Sequence, residues 1–576
     1  MTGADPDAIS SGQSSARRRL ALVALAIIAA VALSMLAPDD WETGRGRTTL
    51  EYLGTLVIDD PVDVGSETPV SLSGTANGIE VMLDFPNGIP IDRPVGASIT
   101  AMDGGEPIQL SAASATLRVV LSDGRDELIP IMRWDPAEQR LDALRRPPQD
   151  AAVVLGLLGF VVVLWVTEAL PLFVTSLLIP VVLVISGIAG ATDATTPFFN
   201  PIIVLFFAGF LMAEAMHRCE LDHYIAVSMT ARSGRNPVTL FAAMIGLTAV
   251  LSMFMSNTAA TAVLVPIAIA VTTPLHEEMF RKALILGIAY AATIGGVGSA
   301  IGTPANQLAI EFLGGFGDRS ISFVEWFAFG LPMVVLFLPV MTVFLWKSSR
   351  IRVHRDHFEH ARRVAEEERH KLGAPDRDQL VVLGVFVIVT LGWLTQTFHG
   401  VHAGIVALAG AIALFVLGKL LPEDLGRISW PSLLTFGGGL TLGLFLVRTG
   451  TSDYLATRLT GLAGVPTVFA MLAVAMLTLL LTTVASNTAS AAILIPLAIP
   501  LAGVLGVSST AMVLVVAIAS SVDFALVVGT PPTMIAYATK LYTAGQIFRK
   551  GIILDFAGIV ILVLVVTQIW NLLGLV

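Results

Sequence analysis

The triplet Ser256-Asn257-Thr258 recurs as Ser486-Asn487-Thr488, and the segments around the two copies match without a gap over about sixty residues. A shift of 230 carries Phe206 onto Phe436, Gly209 onto Gly439, Arg218 onto Arg448, Tyr224 onto Tyr454 and Ala226 onto Ala456. It also carries Leu251 onto Leu481 and Pro266 onto Pro496. Both triplets stand inside long apolar stretches, where polar groups are costly unless a cavity or ligand uses them. Ser, Asn and Thr also act as hydrogen-bonding glue between membrane helices, and a lone triplet would read that way. Two copies in register favour a site. Interrupted hydrophobic segments at matching places of a repeat point to the binding site of a secondary transporter.

Composition agrees. Apolar residues make up 55% of the 576-residue chain and charged residues 14%, well under the charged share of soluble domains. Apolar runs near the spanning length recur from Ala151 to Val576. The single cysteine, Cys219, excludes an intramolecular disulfide and a thiolate metal cluster. The net charge of −10 is local, because residues 38–150 hold 20 Asp and Glu against 9 Arg and no Lys. That acidity belongs to one insert. No basic face with interleaved aromatics supports nucleic-acid binding.

Residues 1–19 read as a cytoplasmic tail, polar and disordered over 1–16, and 20–37 as a first transmembrane helix. Arg17-Arg18-Arg19 before the apolar run Leu20–Leu36 place the N-terminus in the cytoplasm. A cleaved signal peptide is the rival reading, but the run is long for one and lacks a clear small-x-small cleavage site. Residues 38–150 read as a small soluble extracytoplasmic β domain, a sandwich of five to eight strands. Its strand-like runs include Leu50–Ile58, Ile79–Leu83, Thr116–Leu121 and Glu127–Met132, separated by turn signals such as Asp60-Pro61, Asn77-Gly78, Pro86-Asn87-Gly88 and Asp123-Gly124. No catalytic or metal motif stands out there, and a structural or docking module is expected.

The rest reads as two repeats, 151–346 and 379–576, joined by a linker at 347–378. Spans are expected near 151–167, 171–190, 199–218, 282–312 and 323–346, then near 379–397, 402–420, 431–450, 511–545 and 551–573. Between the third and fourth span of each set lies a segment broken at its triplet, 237–272 and 466–504, long enough for a re-entrant hairpin. Arg232, Arg235, Arg281 and Lys282 bracket the first hairpin, so its mouth is expected in the cytoplasm. The second has no Lys or Arg between Gly461 and Lys540, so its mouth is expected outside. Opposite mouths make the repeats inverted, as five spans per repeat require. Lys347, Arg350, Arg352, Arg355, Arg362 and Arg363 keep the linker cytoplasmic, and the uncharged Leu572–Val576 end is extracytoplasmic.

Each triplet offers uncharged donors and acceptors. A helix that restarts after a break exposes unpaired N–H groups and a positive dipole end. Two such tips meeting in mid-membrane make an anion site without a buried Lys or Arg, suited to a compact di-anion. Gly302-Thr303-Pro304-Ala305-Asn306 and Gly529-Thr530-Pro531-Pro532-Thr533 follow the triplets by 46 and 43 residues. Gly-Thr-Pro unwinds a helix, and the freed carbonyls with nearby hydroxyls are hard oxygen ligands suited to Na⁺. Ser252 and Thr482, one helical turn before the triplets, add matching hydroxyls.

Taken together, Trp165-Val166-Thr167-Glu168-Ala169-Leu170-Pro171, the two Ser-Asn-Thr hairpins, Phe436-Gly437-Gly438-Gly439 and the two Gly-Thr-Pro breaks resemble the divalent anion:sodium symporter family. The resemblance covers about 151–576 plus the first helix. It implies a homodimer whose transport subdomain moves as an elevator against a scaffold. Carried over, Ser256, Asn257, Thr258, Ser486, Asn487 and Thr488 face the substrate, joined by Thr303, Thr530 and Pro531. One sodium site takes Ser252, Ser256, Asn257 and Gly302; the other takes Thr482, Ser486, Asn487 and Gly529.

The chain departs from the family in three places. About 110 residues stand where the family has a short external loop. Thr533 stands where Asn is frequent, as Asn306 is in the first repeat. Asp523 lies in the apolar stretch Ser520-Ser521-Val522-Asp523-Phe524, where a small neutral residue is expected. An intramembrane acid is a candidate for coupling, against the alternative of an Asp satisfied by neighbouring Ser or a helix end. Glu168, which aligns with Gln396, is expected to hydrogen-bond within the scaffold. Glu214, His217 and Glu220 are expected at a span end and not as metal ligands.

The sequence thus predicts a polytopic α-helical membrane protein that symports a small di-anion, a C4-dicarboxylate, with sodium across the cell (inner) membrane. Membrane lipid is its surrounding, and no organic cofactor is expected. An anion exchanger on the same scaffold is the rival within the class. A membrane sensor with a ligand-binding external domain is the rival outside it, opposed by the lack of a sizeable cytoplasmic output domain. An enzyme would need a nucleophile–base pair or a metal cluster, and neither is legible.

Overall fold

The computed structural model describes residues 6–36, eight strands between 56 and 143, and 148–576 except 234–235, 274–276, 317–318, 320, 352–365, 368, 453–454 and 456–464. The first helix runs Pro6–Leu36. It starts well before the expected 20, so residues 6–16 are helical rather than a disordered tail. Pro6 suits a helix start because its missing N–H is not needed there. The helix packs along Pro148–Thr167.

The eight strands β1 Leu56–Ile58, β2 Val70–Ala76, β3 Ile79–Phe85, β4 Ser98–Asp103, β5 Glu106–Ala113, β6 Thr116–Val120, β7 Asp126–Asp135 and β8 Arg140–Ala143 follow one another. Each pairs antiparallel with the next, as in Leu83↔Ile99 between β3 and β4. β8 returns to β1 with Leu56↔Leu141. The sheet is therefore a closed barrel, not the expected two-sheet sandwich. A meander whose last strand reaches its first closes on itself and leaves no edge. The turn dipeptides cited above lie outside the described residues.

From 148 onward the chain is helical. Nine helices among the described residues are long and apolar enough to cross a membrane. Sequence signals set several starts. Asn236 caps Pro237–Ser252 in a reciprocal box with Thr239. Ser322 with Glu325 caps Phe323–Ser348, and Asp376 with Gln379 caps Arg377–Leu394.

The two broken segments are helix–turn–helix pairs, Pro237–Ser252 with Asn257–Thr272 and Thr467–Val484 with Asn487–Leu505. The fourth span of each set, expected as one segment, is two. Glu278–Gly295 gives way to a short 3-10 turn and resumes at Pro304–Phe316. Ser509–Ala519 ends well before Pro531–Ala538 begins. Proline at the first position of each second piece starts a helix and cannot continue one. The glycine run 437–439 lets Trp430–Arg448 approach its neighbours closely: a side chain on Gly438 would collide with Ser176, and one on Gly439 would come within 2.7 Å of Ala492 Cβ.

Candidate functional site

Four helices begin at one place. The N-termini of Asn257–Thr272, Asn487–Leu505, Pro304–Phe316 and Pro531–Ala538 border a cavity of about 530 Å³. All nine residues expected to face the substrate line it: Ser256, Asn257, Thr258, Thr303, Ser486, Asn487, Thr488, Thr530 and Pro531. Phe206, Phe210 and Phe254 supply apolar wall. Among the described residues lining it none carries charge. Backbone N–H groups and helix dipoles are then what meets an anion.

The two halves build their tips alike. Ser256 Oγ accepts the N–H of Ala259 at 3.2 Å, and Ser486 Oγ accepts that of Ala489 at 3.1 Å. Each serine caps its helix and keeps its own proton to donate. Ser252 Oγ lies 2.6 Å from Asn257 Oδ1 and 2.6 Å from Ala292 O. Thr482 Oγ1 lies 2.8 Å from Asn487 Oδ1 and 2.7 Å from Ser520 O. One hydroxyl proton serves one of two oxygens at a time, so each cluster holds more acceptors than donors. Three close oxygens with one hydroxyl proton among them form an oxygen cage, a donor set of the kind hard cations take.

The breaks stand against these cages. A Cβ built on Gly296 would lie 2.6 Å from Asn257 Oδ1 and 3.0 Å from Gly302 O, so Ser252, Asn257 and Gly302 come together as expected. Asn306 Nδ2 donates to Ser299 O at 2.7 Å and Gly296 O at 3.0 Å, and its Oδ1 accepts from Thr303 Oγ1 at 3.1 Å. The second break is tied more loosely. Among the described residues the Thr533 hydroxyl reaches only that of Thr530, at 2.9 Å. Gly529 packs on the carboxyl of Asp523.

Other expected residues fare differently. Glu168 is exposed, with a left-handed φ of 47°, in the turn after Pro148–Thr167. Trp165 closes that turn instead, its indole N–H donating to Leu172 O at 3.3 Å. The hydrogen-bonding role given to Glu168 belongs to Trp165, because the glutamate points away from the packed side. Glu214, His217 and Glu220 line a second cavity that reaches Ser256 from the other face of the first hairpin. There Glu214 pairs with Arg427 at 3.1 Å and His217 with Asp222 at 3.0 Å. Arg352, Arg355, Arg362 and Arg363 of the linker, with Arg235, lie outside the described residues.

Sequence reasoning missed the two backbone carbonyls, Ala292 O and Ser520 O, since carbonyl direction leaves no mark on residue type. It missed Asp555, whose Oδ1 accepts the N–H of Phe524 at 2.8 Å. It also missed the pair Arg218–Asp424, two hydrogen bonds of 2.9 and 3.2 Å onto a fully buried carboxylate. One signal was available. The repeat-related Phe206 and Phe436 meet edge to face at 5.6 Å, as residues beside an axis relating two halves must.

Residues 146–576 match the family described as the sodium:sulfate symporter transmembrane region. The chain belongs to that family. It is a multi-pass membrane transporter and not an enzyme. An uncharacterised transporter of Haemophilus influenzae is 32% identical over 438 residues, covering 72% of this chain and 91% of that protein. The sodium-dependent dicarboxylate transporter SdcS of Staphylococcus aureus is 30% identical over 448 residues, covering 73% of this chain and 86% of its own length. The YdaH transporter of Alcanivorax borkumensis matches with a TM-score of 0.46 and 15% identity over 66% of this chain and 88% of that one, too distant a likeness to carry an argument.

Proposed function

We propose that this family member couples sodium entry to uptake of a small divalent anion, a C4-dicarboxylate. The observation that carries the reading is an uncharged cavity set between helix N-termini and backed on both sides by oxygen cages. A di-anion with its charges at two ends suits two positive tips. The volume lies within the range of small-molecule pockets. The kinship with SdcS, a sodium-dependent dicarboxylate transporter, supports both the cation and the substrate class. Ser256, Asn257, Thr258, Thr303 and their counterparts Ser486, Asn487, Thr488, Thr530 and Pro531 bind the substrate. Ser252, Ser256, Asn257 and Gly302 hold one sodium ion; Thr482, Ser486, Asn487 and Gly529 hold the other.

The hairpins and broken helices move as a transport unit against a scaffold in a homodimer of elevator type. The N-terminus and linker 347–378 lie in the cytoplasm, and the barrel at 38–150 and the C-terminus lie outside the cell membrane. The two oxygen cages favour symport over anion exchange, since an exchanger has no need of them. Uptake of labelled succinate, citrate, tartrate and sulfate into proteoliposomes, with and without an inward sodium gradient, tests the reading. Sodium-driven accumulation of succinate is the expected result. Uptake that needs internal anion and ignores sodium would replace symport by exchange.

A further inference from the structure

Six residues before each Gly-Thr-Pro break stands a residue that packs onto the glycine of that break. In the first half it is Gly296, whose Cα would be 2.7 Å from a side chain added to Gly302. In the second half it is Asp523, whose Cγ and Oδ1 would each be 2.8 Å from a side chain added to Gly529. Gly296 faces the first cage, within reach of Asn257 Oδ1 and Gly302 O. Where the first half packs bare glycine against its break, the second packs a carboxylate against its own.

That carboxylate has no answering donor. Asp523 is fully buried, and among the described residues neither of its oxygens receives a hydrogen bond. Asp555, also fully buried, brings a second acid close to it and leaves its own Oδ2 without a donor. The segment is held firmly in this position. Asp555 Oδ1 accepts the N–H of Phe524, and Tyr290 donates its hydroxyl to Phe524 O at 2.9 Å, so the residue after Asp523 is held at both its N–H and its carbonyl. Among the described residues the buried Ser521 hydroxyl has no partner either. Burying unpaired carboxylates is expensive, and hard oxygens in excess are what a hard cation takes as ligands.

We propose that Asp523 is a ligand of the cation bound at the second break, with Asp555 the positioning residue that fixes it. The second ion site then carries a full negative charge that the first lacks, and it fills at lower sodium concentration. The identity of the cation, Na⁺, rests on the coupling reading given above.

Thermal unfolding of the purified full-length protein in detergent tests this without transport. Sodium is titrated against choline at constant ionic strength, with no anionic substrate. A cation that binds the native state raises the melting temperature by mass action. In Asp523→Asn, the sodium concentration at which the melting temperature begins to climb should rise by about tenfold or more. Its sodium-free melting temperature should stay level or rise, because an unpaired buried charge is gone; a merely structural aspartate would lower it at every sodium concentration. Asp555→Asn keeps an oxygen for the Phe524 N–H and should move this onset less. If Asp523→Asn gives no cooperative transition, Gly529→Ala keeps the acid but pushes it aside, and should weaken the sodium response in the same direction. A wild-type sodium onset in Asp523→Asn, or in Gly529→Ala where that stands in, overturns the proposal. A wild-type protein that melts alike in sodium and choline overturns the sodium reading itself, a result readily told apart.

Discussion

Replacing Asn257 by Ala removes a carboxamide that lines the cavity and stands in the first oxygen cage. The fold should survive it. Ser252, which shares its proton between Asn257 Oδ1 and Ala292 O, can give it wholly to Ala292, so no hydroxyl is orphaned. The helix start is also preserved, since Ser256 makes the cap to Ala259. The loss therefore falls on what the cavity binds. A ligand group left without its partner loses about 1–3 kcal/mol, or roughly 5- to 150-fold in affinity. Asn487→Ala should behave likewise, because Thr482, which shares its proton between Asn487 Oδ1 and Ser520 O, can give it wholly to Ser520. Both carboxamides face the same bound anion, so a loss in the double variant that departs from the sum of the two single losses, about 2–6 kcal/mol, reads the coupling through that shared ligand. Equilibrium binding of labelled succinate to purified protein in saturating sodium reads this directly, with the melting temperature as a control on folding. Wild-type affinity in both single variants, with the fold intact, would refute the assignment of the hairpin tips as the substrate site.

The parts of the site that were legible in the sequence are those that residue type controls. Serine before a helix start, a hydroxyl one turn earlier and proline at a helix's first position are local chemistry, and each occurs twice, the first two at the 230-residue shift and the prolines at 304 and 531. The folded chain brings all of them to one cavity. Illegible were features that depend on which distant segments meet. The Arg218–Asp424 pair joins residues 206 positions apart, and the pattern around Asp424 gives no sign that it is buried. Asp523 was visible as an anomaly of composition, but its neighbour Asp555 lies 31 residues past the peptide it clamps. In the barrel, strand count was within reach because turn residues punctuate it. Closure was not, because the pairing of β1 with β8 spans the whole insert.

Further outcomes follow from the same contacts. Deleting residues 42–146 and joining the helices by a short linker should leave sodium-driven uptake measurable, since among the described residues none that lines the cavity comes from that segment; a correctly inserted deletion protein that moved no substrate would make the barrel part of the mechanism. Arg218→Met takes two hydrogen bonds from the buried Asp424 carboxylate, which keeps the Leu421 N–H at 2.8 Å and Arg427 at 3.4 Å; it should cost about 1–3 kcal/mol, read as a lowered melting temperature, and an unchanged melting temperature would show that the remaining partners suffice. Gly296→Ala bears on the first ion cage alone. The added methyl would sit 2.6 Å from Asn257 Oδ1, 2.7 Å from Thr303 Cγ2 and 3.0 Å from Gly302 O, and none of these neighbours is the free end of a long side chain. Overpacking of this kind costs about 1–3 kcal/mol, and the cage must open to relieve it. Sodium activation of uptake should therefore shift to higher concentration. Gly246→Ala, at a position with nothing within 4 Å in the same hairpin, should leave it in place. Equal sodium activation in the two variants would mean that the space beside Gly296 is not where the first ion binds.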